Sequence, residues 1–141
     1  MNVLVLGSSR IRRLHDYIDR FADLTNFNLN GQISVNYFGI SGGRITNSEH
    51  CYRWDWSVES INPEHVVVQL GGHDLDVVKA DKEVAEEIAL KIIVFCHTFI
   101  SIHKVQHVTI VQFLNRQSTW HVPPDTYNKL VKYANEYLKS E

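Results

Sequence analysis

Short apolar runs alternate along this chain with longer stretches in which apolar residues recur at helical spacing. The runs are rich in valine, leucine and isoleucine and are followed by glycine or polar residues, which is typical of strands buried in a parallel sheet. The sequence therefore predicts four strands, at Asn2 to Leu6, Ile33 to Phe38, His65 to Leu70 and His107 to Phe113.

Amphipathic helices are predicted between these strands, because apolar residues recur at intervals of three and four positions. Asp81 stands where an N-cap residue would begin the long third helix. Thr25 to Gln32 is rich in asparagine and predicts a loop. The helices are predicted at Arg10 to about Leu24, Asn47 to Ser57, Lys82 to His103, and from Pro124 onward.

Strands that alternate with helices predict a parallel sheet with right-handed crossovers. We therefore expect an α/β fold, a small doubly wound three-layer sandwich of the flavodoxin-like kind, with a mostly parallel sheet of about four strands. The length of 141 residues fits a single domain, residues 1–141, with one main core.

Composition narrows the function classes. The chain is 44% hydrophobic and 21% charged, which predicts a globular protein. Its net charge of -2 gives no argument for a nucleic-acid partner or an anionic membrane. The eight histidines show no metal-ligand spacing, and nothing predicts a cofactor. Two cysteines, Cys51 and Cys96, with no leader segment or membrane span, predict a cytoplasmic protein with buried thiols.

Small and polar residues follow three of the predicted strands at the point where each strand ends. Parallel strands deliver their carboxyl ends to one edge of a sheet, where ligands bind in open α/β folds. If the chain does chemistry, Ser8 or Ser9 in the first of these turns is the first candidate residue. The three turns are Gly7-Ser8-Ser9, Ser41-Gly42-Gly43 and Gly71-Gly72-His73-Asp74.

These turns, in this order, resemble the SGNH (GDSL-type) hydrolase superfamily. The resemblance implies an esterase-type serine hydrolase with Ser9 as the nucleophile and the Gly42 amide as an oxyanion-hole donor. His73 stands where that family has the asparagine that supplies a second donor. The segment from Arg116 onward, with His121-Val122-Pro123-Pro124, also looks like esterase-like domains of retroelement-encoded proteins.

Two features depart from the family pattern. A neutral histidine at position 73 can still donate one hydrogen bond, but it is larger than asparagine and titrates near neutral pH. The family's base lies in a C-terminal Asp-x-x-His, and the sequence has no such motif. The chain is then either a fragment or a shortened domain with weak or lost catalysis. His73 and His121 are the candidate replacements for the base, His121 the weaker one.

Structural roles compete with these assignments. Ser8 and Ser9 also suit the N-cap of the first helix, and Asp74 is predicted to brace the third turn. Three functions stay open: a hydrolase of small esters or acyl groups, a non-catalytic module for binding or for self-association as a homodimer, and a nucleotide-binding domain. The last ranks lowest because no phosphate-binding glycine motif is present.

Overall fold

The computed structural model describes residues 1–20 and 33–140. Strands and helices alternate through most of this part of the chain. The elements are β1 (Asn2–Gly7), α1 (Ser9–Arg20), β2 (Ser34–Gly39), α2 (Ser48–Ile61), β3 (His65–Gln69), α3 (Gly72–Leu75), α4 (Lys82–Ser101), β4 (His107–Ile110) and α5 (Pro124–Ser140).

The four described strands form one parallel sheet in the order β2-β1-β3-β4. Strand β1 is central, and its last residue, Gly7, is level with Gly39 of β2 and Gln69 of β3. The loops that follow β1, β2 and β3 therefore leave the sheet at one edge. This confirms the predicted α/β class and the parallel sheet of about four strands.

The two faces of the sheet bury different residues. Leu4 and Leu6 of β1 belong to the main core, which also holds Trp54 of α2, Phe99 of α4 and Tyr127 of α5. Val5 points to the opposite face because side chains alternate along a strand. It is buried there, as are Ile11 and Ile18 of α1. Helix α1 thus covers one face, while α2, α4 and α5 cover the other.

Several element ends differ from their predictions. Helix α2 continues past Ser57 to Ile61, because Val58 is fully buried and Asn62 caps the helix in a left-handed conformation, its N–H donating to the Val58 carbonyl. The sequence predicts only a turn at Gly72–Leu75, where the structure has the short helix α3. The predicted extension of α1 to Leu24 and the Thr25–Gln32 loop lie outside the described residues.

Strand β4 ends at Ile110 rather than Phe113, because side chains of α5 take over the backbone hydrogen bonds. The Phe113 N–H donates to Asn135 Oδ1 at 2.7 Å, and Asn135 Nδ2 donates to the Phe113 carbonyl at 3.0 Å. Asn128 makes the same pair of bonds with Arg116, at 2.9 and 3.2 Å. The side chains of these two asparagines thus make the backbone hydrogen bonds that a neighbouring strand would otherwise make with the segment after β4. None of the described helices is long and apolar enough to cross a lipid bilayer.

We predict that Asn135→Ala lowers the free energy of unfolding by about 1–3 kcal/mol, because it leaves a partly buried N–H and carbonyl of Phe113 without partners. Urea denaturation followed by circular dichroism measures the change. Lys132→Ala, at an exposed position of the same helix, is the control and should change stability by less than about 0.5 kcal/mol. Equal stability of the two variants would contradict the strand-substitute role.

Candidate active site

The candidate nucleophile lies where β1 turns into α1. Ser9 is the first residue of α1, and the carbonyl of Ser8 accepts hydrogen bonds from the Ile11 and Arg12 amides at 3.2 Å each. A Cβ at position 7 would lie 2.3 Å from Ile11 and 2.6 Å from the Gln69 carbonyl, so only glycine lets α1 start this close to the sheet. Ser8 is buried, whereas Ser9 is partly exposed and accessible to a substrate.

Two residues, one from each of the other two predicted turns, converge on the Ser9 hydroxyl. The Gly42 N–H donates to Ser9 Oγ at 3.2 Å, and His73 Nε2 lies 3.4 Å from the same oxygen. Gly42 has a φ of +67°, a left-handed conformation that glycine adopts without strain and that directs its N–H toward Ser9. The structure therefore brings Ser9, Gly42 and His73 together, while their catalytic roles stay predictions.

The loop after β2 is tied to the turn that carries His73. The buried carboxylate of Asp74 accepts the Ile45 N–H at 3.0 Å and both the N–H and the hydroxyl of Thr46, at 3.1 and 2.8 Å. Arg44 Nη1 donates to the His73 carbonyl at 2.7 Å. Asp74 thus has a structural role, as predicted, but it braces the loop after β2 against the third turn, and these bonds fix Gly42 relative to His73.

A second buried carboxylate ties a third loop to the same turn. Asp76 accepts the backbone N–H groups of Trp120, His121 and Val122 at 2.8, 2.9 and 3.3 Å. Burial alone raises the pKa of Asp76, but the three amide donors and the Arg116 guanidinium, 3.9 Å away, outweigh burial and hold it below its ordinary value. Asp76 is therefore an ionised anchor for the loop between β4 and α5.

His73 is kept neutral by its surroundings. Burial lowers its pKa below the ordinary value of 6.5, and the charges of Arg116 and Arg44 lower it further, while Asp74 and Asp76 oppose the shift. A neutral imidazole has one donor and one acceptor nitrogen. At neutral pH, His73 can either donate a hydrogen bond to an oxyanion or accept the Ser9 proton, depending on its tautomer.

His121, the other predicted base, is not brought to Ser9. Its side chain is exposed, and only its backbone N–H is held, by Asp76. The residues that sequence reasoning missed are Asp76, Arg44 and Arg116. The one sequence feature that could have indicated Asp76 is that it is a second acidic residue two positions after Asp74. Its backbone partners follow 44 or more positions later in the chain, so local pattern does not reveal them.

The described residues offer no metal site, since they contain no group of three or more histidine, cysteine or acidic side chains arranged to hold an ion. Of the two cysteines, Cys96 is buried, and burial raises its pKa to about 12, while Cys51 is half-buried. The arrangement at Ser9 therefore consists of a hydroxyl, an amide donor and an imidazole, which are the groups that acyl transfer uses.

Comparison with solved structures identifies the fold. The chain is similar to a protein assigned to the G-D-S-L family of lipolytic proteins from Desulfitobacterium hafniense, at TM-score 0.67 and 19% identity, covering 99% of this chain and 72% of that one. It is also similar to the acetyl xylan esterase AlAXEase, at TM-score 0.66 and 17% identity, covering 99% of this chain and 73% of that one.

A third similar structure is Axe2, an acetylxylan esterase from Geobacillus stearothermophilus, at TM-score 0.64 and 15% identity, covering 99% of this chain and 72% of that one. The chain therefore has the SGNH hydrolase fold of esterases and lipases. No protein-family model and no curated protein matches the sequence. The resemblance to retroelement esterase-like domains stays a prediction.

We predict that Asp76→Asn destabilises the protein by about 1–3 kcal/mol at pH 7, because the ionised carboxylate that accepts three amides is lost. The native pKa of Asp76 is depressed, so its carboxylate stabilises the fold above about pH 4, and this stabilisation is lost as pH falls through the native pKa. The difference in unfolding free energy between wild type and variant should therefore shrink below pH 4.

Urea denaturation of both proteins between pH 7 and pH 3 measures this difference. Asp16→Asn, at an exposed position of α1, is the control and should follow the wild-type pH dependence. A difference between Asp76→Asn and wild type that stays constant down to pH 3 would show that Asp76 is not an ionised anchor.

Proposed function

We propose that this chain is an esterase-type serine hydrolase domain that acts on a small ester or acyl substrate through Ser9. The observation that carries the proposal is that Ser9 Oγ lies within hydrogen-bond distance of both the Gly42 N–H and His73 Nε2. A helix N-cap has no need of these two partners from distant loops. The SGNH fold and the esterases among the similar structures support the same class of reaction.

In this proposal, Ser9 attacks the acyl carbon, and the carbonyl oxygen becomes an oxyanion beside the Gly42 N–H. Backbone amides fixed before the reaction stabilise such charge with little reorganisation. Ser9 is also the first residue of α1, so the positive end of the helix dipole lies at the developing negative charge. Asp74 and Arg44 hold the Gly42 loop against the His73 turn and so preserve this geometry.

We assign His73 the role of the second oxyanion-hole donor, with its proton on Nε2. Its lowered pKa keeps the ring neutral. In the resemblance to SGNH hydrolases, His73 also stands where that family has its asparagine donor. No other histidine among the described residues contacts Ser9. We therefore expect slow turnover, about 1000-fold to 10,000-fold above the uncatalysed rate, which is what oxyanion stabilisation and binding alone support in serine hydrolases that lack their base.

A non-catalytic self-association module is the second candidate. Within the described residues, no strand pairs with the outer edge of β4, and an apolar groove of about 220 Å³ lies beside that edge, lined in part by Ile100, Ile110 and Leu138. An open strand edge next to an apolar surface favours pairing with a second copy of the chain. This candidate requires no chemistry at Ser9.

Labelling with a fluorophosphonate probe separates the two candidates. We predict that wild type is labelled and hydrolyses 4-nitrophenyl acetate slowly, and that Ser9→Ala loses both activities. Ser101→Ala, at an exposed position at the end of α4, is the matched control and should keep both. A wild-type protein that is neither labelled nor active, and that sediments as a dimer, would overturn the hydrolase and favour the second candidate.

Two substitutions at position 73 test its role. We predict that His73→Asn keeps kcat within about tenfold of wild type because a donor remains, whereas His73→Ala lowers kcat by about 100-fold. Steady-state ester hydrolysis from pH 5 to pH 8 gives the readout. If His73 is instead the general base, His73→Asn is as inactive as His73→Ala, and wild-type activity falls on the acid side through a pKa below 6.5.

A further inference from the structure

A polar cavity of about 370 Å³ opens directly beside Ser9. Ser9 and His73 form one side of it, so a group bound in the cavity lies next to the candidate nucleophile. The rest of its lining comes from the start of α1 and from the loop between β4 and α5, and includes Arg10, Arg13, Arg116 and Trp120.

Three arginines line this cavity and no acidic residue does. The imbalance is local, because the whole sequence has 14 basic residues against 16 acidic ones. Within the described part of the chain, neither Arg10 nor Arg13 has an acidic partner within 4.0 Å. Asp76 lies 3.9 Å from Arg116, but its oxygens already accept three backbone amides.

Two of these arginines, Arg10 and Arg13, lie where positive charge destabilises helix α1. Arg10 and Arg13 are in the first two turns of α1, whose first turn contains no acidic residue, although helix N-termini favour acidic side chains. They are also three positions apart on one side of the helix, where like charges repel. Helix stability therefore gives no reason for two cations at this place.

Arg116 is held in position for binding. Its guanidinium carbon lies 5.1 Å from the centre of the Tyr127 ring, and its Nη1 lies 3.9 Å from Asp76 Oδ2. Its side chain is only 18% exposed. Planar guanidinium groups bind carboxylates and phosphates through paired hydrogen bonds, which is why arginine is favoured at sites for such anions.

We propose that this cavity binds an anionic group of the substrate, so that the preferred substrates are esters that carry a carboxylate or a phosphate. The inference rests on the proposed function and names its substrate class. Ser9 Oγ loses its proton to solvent as it forms the bond to the acyl carbon, the ester C–O bond breaks, and the leaving alkoxide takes a proton from solvent. Water then hydrolyses the acyl-enzyme, while the arginines hold the anionic group, which does not react.

Binding to Ser9→Ala tests the cavity without any catalysis. In NMR titrations, monomethyl glutarate should bind at least tenfold more tightly than the neutral dimethyl glutarate. Adding Arg13→Gln or Arg10→Gln should remove most of this preference, because both side chains are exposed and can be replaced without loss of a core contact. Arg12→Gln, on the same helix but outside the cavity lining, is the matched control and should keep it.

Two further measurements complete the test. Titration with glutarate and with inorganic phosphate distinguishes the two anions, since the one that binds more tightly identifies the group the cavity accepts. In wild type, mono-4-nitrophenyl glutarate should have a kcat/KM at least tenfold above that of 4-nitrophenyl butyrate, and Arg13→Gln should abolish the difference.

The outcomes separate this inference from the hydrolase proposal. Hydrolysis of both esters at equal rates, with no anion preference in Ser9→Ala, would overturn the anionic substrate and leave the esterase standing. Arginine-dependent anion binding without hydrolysis of either ester would overturn the esterase, leaving the cavity as an anion-binding site.

Discussion

The site depends on two buried carboxylates in one short turn. Asp74 and Asp76 follow β3 within the same helical turn, and each accepts hydrogen bonds from backbone N–H groups of a different loop. A buried charge is costly unless it is fully hydrogen-bonded, and buried loop amides need acceptors. The loop amides can donate to Asp74 and Asp76 only when the loops after β2 and β4 meet at this turn.

The same arrangement sets the charge around Ser9. Arg44 and Arg116 approach the turn to bond the His73 carbonyl and to balance Asp76. The net effect on His73 of burial and of all four charges is a lowered pKa, so the imidazole beside Ser9 is uncharged. Groups that hold the loops together therefore also decide the protonation state of the residue that contacts the candidate nucleophile.

Local pattern was enough to predict the sheet and the meeting of three turns, because strand periodicity and the carboxyl edge of a parallel sheet follow from nearby residues. The residues that depend on long-range contacts were not predictable. Asn128 and Asn135 look like ordinary polar residues on α5, yet each replaces strand pairing for a distant backbone segment. Arg10 and Arg13 lie at the start of the predicted first helix, where local pattern gives them no role, and only the fold places Arg116 near them.

The parts of the site differ in what maintains them. Gly42 and the start of α1 are held by the same bonds that stabilise the loops, so this geometry would persist in a descendant that had lost its chemistry. The arginines beside Ser9 are different, since Arg10 and Arg13 stabilise neither their helix nor a described ion pair. If the cleft were only a consequence of folding, nothing would explain two arginines that destabilise the helix they belong to. The cationic cavity is therefore the feature that argues most directly for a ligand at Ser9.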